Sequence, residues 1–189
     1  MGRVIGGGGW VGANARERNR LDNLTQSLGY TCTTFPVNTW GAVQTVVTGT
    51  TYAGSVYIYN GEKISSIEMY AYNAASGLTL AKAGVFNSSG TLLTSCSSAH
   101  ATVNGAVNRI PIALSSTWTC EADGLYFLGF LMVGTTGSNL NANHISGVQT
   151  QQAGGTGVLH TWAVTGQTDL VSVTPAKGTG LHFFMGATP

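Results

Sequence analysis

The apolar run of residues 123–133 constrains the fold more than any other stretch of this sequence. It reads Asp-Gly-Leu-Tyr-Phe-Leu-Gly-Phe-Leu-Met-Val and is followed by another glycine. A short, aromatic-rich run bounded by turn residues is typical of a strand that is buried on both faces at the centre of a sheet. A buried helix is the alternative, but Gly124, Gly129 and Gly134 each cost a helix about 1 kcal/mol relative to alanine. The run therefore predicts a β core.

Strand-like segments separated by turn residues recur from residue 42 to the C-terminus. This regular spacing is typical of an antiparallel β-sandwich, most simply a jelly roll. We therefore predict an all-β, jelly-roll-like sandwich over residues 40–189, preceded by an N-terminal arm and one short helix. The predicted strands are residues 42–48, 55–59, 63–72, 78–86, 91–96, 107–114, 117–120, 123–133, 158–164, 169–173 and 181–185.

Local signals predict further details of the sandwich. Asn60-Gly61 lies between two β-rich runs and predicts a hairpin, because this dipeptide favours the turn that joins paired antiparallel strands. Residues 87–90 predict a second hairpin loop. Pro111 has no N–H to donate, so it predicts an edge or bulge position for its strand. Residues 30–40 have the composition of a linker.

Residues 1–39 are predicted to form a separate anchoring part. Four consecutive glycines make residues 1–12 too flexible to order alone, so this arm is either a peptide that docks on another subunit or a disordered terminus. Residues 15–28, capped by Asn14, predict a helix with a narrow leucine seam. Such a seam suits an oligomer axis or a neighbouring subunit, or one end of the sandwich. The predicted anchoring residues are Val4, Ile5, Trp10, Val11, Leu21, Leu24 and Leu28.

Candidate ligand-contact residues lie on a predicted strand and in a polar segment after the central strand. Tyr70 and Tyr72 share one strand face, and so do Tyr57 and Tyr59. If their strands pair, the four rings form a platform for sugars or protein partners. The alternative, which we favour, is that one pair faces the core. Residues 135–157 are predicted to form a long functional loop. The predicted contact residues are Tyr70, Tyr72, Asn139, Asn141, Gln149 and Gln151.

The sequence contains no recognisable catalytic or metal-binding pattern. No histidine has a His or carboxylate partner at ligand spacing, so we predict no metal, no cofactor and no enzyme activity. The carboxylates fall mostly near turns, and neither a GxSxG elbow nor a Walker loop is present. Cys32, Cys96 and Cys120 have unrelated spacings. Either Cys96 and Cys120 form a disulfide, or the cysteines are buried free thiols, which we favour.

The low charge of the chain argues against several classes of partner. Charged residues make up 8% of the sequence, against about 25% in an average soluble domain. With a net charge of +1, no bulk attraction to nucleic acid or anionic membranes is expected. No run reaches the roughly 18–20 apolar residues of a membrane span, and the glycine-rich start is unlike a signal peptide. A charge-poor surface rich in Thr, Ser and Gly is typical of extracellular β proteins and virion exteriors.

Two passages resemble a known group of proteins. Residues 75–93 read ASGLTLAKAGVFNSSGTLL, and residues 122–136 read ADGLYFLGFLMVGTT. Together they resemble the C-terminal β-sandwich domains of minor tail and fibre-like proteins from tailed phages of actinobacteria. The likeness spans residues 40–189 and consists of strand and turn patterns.

The resemblance implies a non-enzymatic structural protein on the exterior of a virion, on either tail or capsid. It implies other virion proteins as partners, a homotrimer, and a distal β domain that faces outward. We expect the loop at residues 135–157 to be the part that contacts a host-surface glycan. No membrane insertion is expected. Because only a short arm precedes the domain here, a capsid decoration or head-fibre protein without a receptor role is an alternative. A free carbohydrate-binding module is another.

Overall fold

A computed structural model describes residues 29–34, 42–144, 161–175 and 181–189 of the chain. These residues are nearly all β and form two antiparallel sheets around a common core. Within the described ranges, a single short helix, α1 (His100–Val103), accompanies the strands. The strands are β1 (Cys32–Thr33), β2 (Ala42–Thr45), β3 (Thr50–Ile58), β4 (Lys63–Asn73), β5 (Ser76–Asn87), β6 (Leu92–Ser95), β7 (Asn108–Thr119), β8 (Gly124–Thr136), β9 (Asn139–His144), β10 (Thr161–Thr165), β11 (Leu181–Phe183) and β12 (Met185–Thr188).

The strands pair as a nested series, which is the pairing of a jelly roll. β1 pairs with β12, β3 with β8, β4 with β7 and β5 with β6, so the first half of the chain folds back along the second half. Pairing of β4 with β12 and of β5 with β8 then rolls this ladder into two sheets. The five-stranded sheet has the order β10-β3-β8-β5-β6, and the remaining strands form the seven-stranded sheet. The predicted jelly-roll-like sandwich is confirmed.

β8 is the central strand that the apolar run predicts. It lies between β3 and β5 in the five-stranded sheet. Leu128 and Phe130 point into the core between the sheets, whereas Phe127 and Leu131 point to the outer face, and all four are buried. Successive side chains of a strand point to opposite faces, so burial on both faces explains the unbroken apolar run. The strand prediction is confirmed and the helix alternative is wrong.

A second apolar cluster covers the outer face of the five-stranded sheet. The ring centroid of Trp162 lies 5.1 Å from that of Phe86 and 6.0 Å from that of Phe127, both in edge-to-face contact. Residues 166–175 run over this cluster, and Leu170 is buried in it. This irregular segment therefore supplies the cover that makes both faces of β8 apolar.

The strand predicted at residues 169–173 is wrong, because this segment covers the outer face of the five-stranded sheet instead of pairing with a strand. The Leu170 N–H donates to Asp169 Oδ1, and the Val173 N–H donates to the Gly90 carbonyl oxygen. Its backbone therefore bonds to a neighbouring side chain and to a turn instead of to a strand edge. Leu170 and Val173 pack down on the sheet whereas Val171 is exposed, so the apolar residues of this segment mark a covering segment and not a strand.

Asn60-Gly61 does not form the predicted hairpin, because β3 and β4 lie in different sheets. The Glu62 N–H donates to the Tyr59 carbonyl oxygen at 3.1 Å, and φ is positive at Gly61 but not at Asn60. The hairpin turn that this dipeptide favours needs positive φ at both positions. The turn instead carries the chain from one sheet to the other.

Two other turn and edge predictions are confirmed. Residues 87–90 join β5 and β6, which pair as a hairpin. Pro111 lies on β7, which pairs only with β4 among the described strands and is therefore an edge. The missing N–H of Pro111 costs the sheet little at an edge.

The long loop predicted over residues 135–157 is wrong at its start. β8 continues to Thr136, and β9 follows and pairs with β2, β4 and β11. Leu140 of β9 is buried in the core between two partly exposed asparagines. Asparagine is uncommon in strands, so the composition of β9 hides it. Residues 145–157 lie outside the described residues.

The sandwich begins before residue 40, within the predicted linker. β1 pairs with β12, and Tyr30 is buried. The ring of Tyr30 lies directly against Gly186, where a Cβ would collide with it. The first residues of the predicted linker therefore belong to the jelly roll. The predicted arm and the helix at residues 15–28 lie outside the described residues.

Candidate functional site: an exposed face of tyrosine and asparagine

Part of the predicted site lies outside the described residues, and the roles assigned to it stay predictions. These residues are Val4, Ile5, Trp10, Val11, Leu21, Leu24, Leu28, Gln149 and Gln151.

The four remaining contact residues meet on the outer face of the seven-stranded sheet. Each of them flanks a buried residue, Ala71 on β4 or Leu140 on β9, and these two residues pair directly. Because neighbours along a strand point to opposite faces, the flanking side chains point away from the core. Two regions far apart in sequence thus form one surface, which we call the tyrosine–asparagine face. Its residues are Tyr70, Tyr72, Asn139 and Asn141.

A β-bulge in β4 makes Tyr72 the most prominent side chain of this face. Ala71 pairs with Leu140 and Asn73 pairs with Asn139, so Tyr72 is an extra residue between two consecutive pairs. Bulges bend a strand and re-aim a side chain, and they are common beside functional sites. The Tyr72 side chain is 70% exposed.

One further asparagine borders the face, and sequence analysis missed it. Asn73 ends β4, is exposed and pairs with Asn139 of the face. It belongs to no sequence motif, so only the strand register reveals it. Asn108, which begins β7, pairs with Ala71 and is therefore on the core-facing side of the register, although it is exposed at the end of its strand.

Glu68 is a buried carboxylate on the same side of the sheet. It is 2% exposed and accepts two hydrogen bonds from Arg109, one from Nε at 2.6 Å and one from Nη2. Burial, and then hydrogen bonding to Glu68, raise the pKa of the Tyr30 phenol above its usual range. Tyr70 packs edge to face on Phe184, with ring centroids 5.7 Å apart. The negative charge of Glu68, beside the tyrosine–asparagine face, is thus neutralised by Arg109 of the same chain.

The four-tyrosine platform does not form. Tyr57 and Tyr59 lie on the outer side of the five-stranded sheet, with ring centroids 5.1 Å apart, while Tyr70 and Tyr72 lie on the seven-stranded sheet. Tyr57 is 53% exposed. The favoured alternative, that one pair faces the core, is also wrong, because Tyr57 and Tyr72 are exposed and none of the four rings belongs to the core between the sheets.

Two of the described carboxylates outside this face, Asp169 and Asp123, have structural partners. Asp169 forms an ion pair with Lys82 at 2.7 Å, and this hydrogen-bonded partner lowers the pKa of the Asp169 carboxyl. Asp123 Oδ1 accepts a hydrogen bond from the Asn60 N–H at 2.7 Å and so joins two turns. Among the described residues, no three His, Cys, Asp or Glu side chains come together as a metal site would require. No described helix has the length and apolar character to cross a membrane.

The cysteines are buried free thiols, which confirms the favoured prediction, and the Cys96–Cys120 disulfide is wrong. Cys96 Sγ accepts a hydrogen bond from the Ala83 N–H, whereas Cys120 Sγ donates to the Ala122 carbonyl oxygen. The two thiols thus form hydrogen bonds in different parts of the fold. Burial raises the pKa of Cys32 and of Cys96.

These buried acids predict a loss of stability at alkaline pH. An unfolded thiol ionises near pH ~8.5 and an unfolded phenol near pH ~10, whereas burial keeps Cys32, Cys96 and Tyr30 neutral in the folded state. The contribution of these three groups to the free energy of unfolding should therefore be constant below about pH 8 and fall as the pH rises above it. Urea unfolding across this range measures the slope. Cys32→Ala should make it shallower, and a profile that stays flat to about pH 10.5 would contradict the expectation.

Comparison with known proteins yields no match to any protein-family model and none to a curated protein. Function is therefore inferred from the fold and from the chemistry of the tyrosine–asparagine face. An exposed aromatic ring beside amide side chains can bind a ligand by ring contact and neutral hydrogen bonds. This combination of groups is suited to the recognition of a ligand.

Proposed function

We propose that this chain is a structural protein of a phage virion, carried as a homotrimer on the outside of the tail or capsid. Residues 1–28 attach it to neighbouring virion proteins and bring the copies together. The jelly roll faces outward and contacts the host surface. The protein acts by binding and assembly, without a cofactor and without catalysis.

The nested jelly-roll pairing is the observation that carries this proposal. Jelly rolls form viral capsid domains and lectins, although a fold by itself serves many functions and the link is an analogy. The resemblance to tail and fibre-like proteins narrows the choice. It rests on residues 75–93 and 122–136, which are β5 with its hairpin and the central strand β8.

The point where the chain enters the sandwich supports an anchoring role for the preceding residues. β1 lies at an edge of the seven-stranded sheet, and Tyr30 is fixed there against Gly186. A segment that joins the domain at a sheet edge can reach a neighbour without crossing the core. The fixed joint gives the domain a defined position relative to whatever residues 1–28 bind.

Deletion of residues 1–28 tests the proposal. We expect the truncated chain to fold and remain soluble, because Tyr30 and β1 are retained. It should be monomeric by light scattering and absent from purified particles, whereas the full chain is trimeric and incorporated. Incorporation of the truncated chain at the level of the full chain would contradict the anchoring role.

A longer deletion, of residues 1–34, is the matched control for the fold. It also removes β1 and the buried Tyr30 ring, so it should lower the free energy of unfolding by about 3 kcal/mol or more. The shorter deletion should leave that free energy unchanged within about 0.5 kcal/mol. The two deletions together separate loss of assembly from loss of folding.

A further inference from the structure

We propose that the tyrosine–asparagine face, with Asn73 at its border, binds a neutral, hydroxyl-rich saccharide. This proposal specifies the class of ligand at the host contact. It rests on the proposed function only for its biological setting. Binding by the purified chain is measured without particles, so either proposal can fail without the other.

Tyr72 supplies a surface on which a sugar ring can stack. The bulge in β4 lifts this residue out of the regular pairing, and its side chain is 70% exposed. A tyrosine ring offers a large, rigid apolar surface with a polar tip and loses little conformational entropy on binding. One face of a pyranose consists of C–H groups and matches such a surface.

The surrounding amides suit the hydroxyl groups of a sugar. Each amide carries two donor hydrogens and an acceptor oxygen, and a hydroxyl both donates and accepts. Three asparagine side chains lie around Tyr72, those of Asn73, Asn139 and Asn141, and none of them makes a hydrogen bond to another described residue. Asn104 shows the contrast, because its Oδ1 accepts from the Leu78 N–H at 3.0 Å and its Nδ2 donates to the Leu78 carbonyl oxygen at 3.1 Å. The amide of Asn104 stabilises the fold, while those of the face remain available to a ligand.

The charges near this face favour a neutral ligand. Arg109 is 55% exposed, but its guanidinium already forms two hydrogen bonds with the buried Glu68. Lys63 lies at the far end of β4, nine positions from Tyr72 and so about 30 Å away at ~3.3 Å per residue. An anionic saccharide would therefore lose hydration without gaining an unpaired cation from the described side chains.

Strand pairing holds the site in place before a ligand arrives. Asn139 pairs with Asn73 on one side and with Thr45 of β2 on the other, and Asn141 pairs with Val43. Polar groups on paired strands lose little freedom when they bind, which raises affinity for a given set of contacts.

A second copy of the chain is the competing occupant of this face. Stable protein interfaces bury about 800 Å² per partner around an apolar centre. Beside Tyr72, however, the face presents asparagine amides, and Val43 is its exposed aliphatic residue at 42%. Tyr70 is already packed on Phe184. A polar face with one protruding ring fits a small hydroxylated ligand better than a second copy.

Calorimetric titration of the full chain tests the site with defined probes. The neutral probes are the hexasaccharides of glucose, mannose, galactose and N-acetylglucosamine, and hexagalacturonate is the anionic one. At least one neutral probe should bind, Tyr72→Ala should weaken it by about tenfold or more, and Tyr72→Phe should keep it within about threefold. Tyr57→Ala is the matched control, because it removes an exposed tyrosine from the other sheet and should leave affinity within about twofold.

Asn139→Ala combined with Asn141→Ala should also weaken the bound neutral probe by about tenfold, with an unchanged unfolding midpoint. The proposal is overturned if no neutral probe binds at millimolar concentration, or if hexagalacturonate alone binds. It is equally overturned if Tyr57→Ala weakens binding as much as Tyr72→Ala. A change of oligomeric state in Tyr72→Ala, with saccharide affinity intact, would assign the face to contact between copies instead.

Discussion

Replacement of Gly134 by alanine is expected to lower the free energy of unfolding by roughly 3–5 kcal/mol. Gly134 lies in β8 opposite Leu78 of β5, where the register between the two strands shifts. Its φ of 152° is a conformation that side-chain-bearing residues rarely adopt. A Cβ here would also collide with the Gly77 carbonyl oxygen and lie 2.5 Å from Leu78 Cα. Both obstacles are backbone atoms of the adjacent strand, so no side-chain rotation relieves them.

Gly124→Ala is the matched control in the same strand. Its Cβ would meet only Tyr126 Cε2, at 3.8 Å, and the residue has no positive φ. This substitution should change the free energy of unfolding by less than about 1 kcal/mol. Urea unfolding of both variants, followed by tryptophan fluorescence, measures the difference. Equal effects at the two positions would show that the close approach of β5 and β8 is not a constraint.

The same strand shows what could be predicted from the sequence. β8 was found because it is buried on both faces, which leaves an unbroken apolar run that turn residues delimit. Strand alternation likewise predicted that Tyr70 and Tyr72 share one face of β4, and the residues that alternate with them, Ile67, Met69 and Ala71, are buried in the core. Patterns of this kind depend on a residue and its near neighbours along the chain, so they can be recognised in a single sequence.

Features that depend on the partner strand were not predicted. Asn60-Gly61 specifies a turn, but whether the following strand joins the same sheet depends on the nested pairing of the whole chain. β9 was read as a loop because its asparagines are unusual in strands, although its pairing with β4 decides its structure.

The candidate site was partly predicted for the same reason. Strand alternation placed Tyr70 and Tyr72 on one face, but nothing local connects them with Asn139 and Asn141. The bulge that exposes Tyr72 is a property of the β4–β9 register. Asn73 joins the site only through that register.

The second large effect is expected at the buried ion pair. Arg109→Met should lower the free energy of unfolding by about 2–3 kcal/mol, because it leaves the Glu68 carboxylate buried without its two charged hydrogen bonds. Glu68→Gln should cost less, since the amide retains an acceptor for Tyr30 and the half-exposed Arg109 can be hydrated.

The double variant decides whether the cost of Arg109→Met comes from the lost attraction between Arg109 and Glu68 or from leaving the Glu68 carboxylate buried without its partner. A buried pair contributes little net stability over a neutral replacement, while removing one partner is expensive. Glu68→Gln combined with Arg109→Met should therefore be more stable than Arg109→Met alone by about 1 kcal/mol or more. The double-mutant cycle is measured by urea unfolding at neutral pH. If the two single costs simply add, Glu68 is better solvated than its 2% exposure indicates.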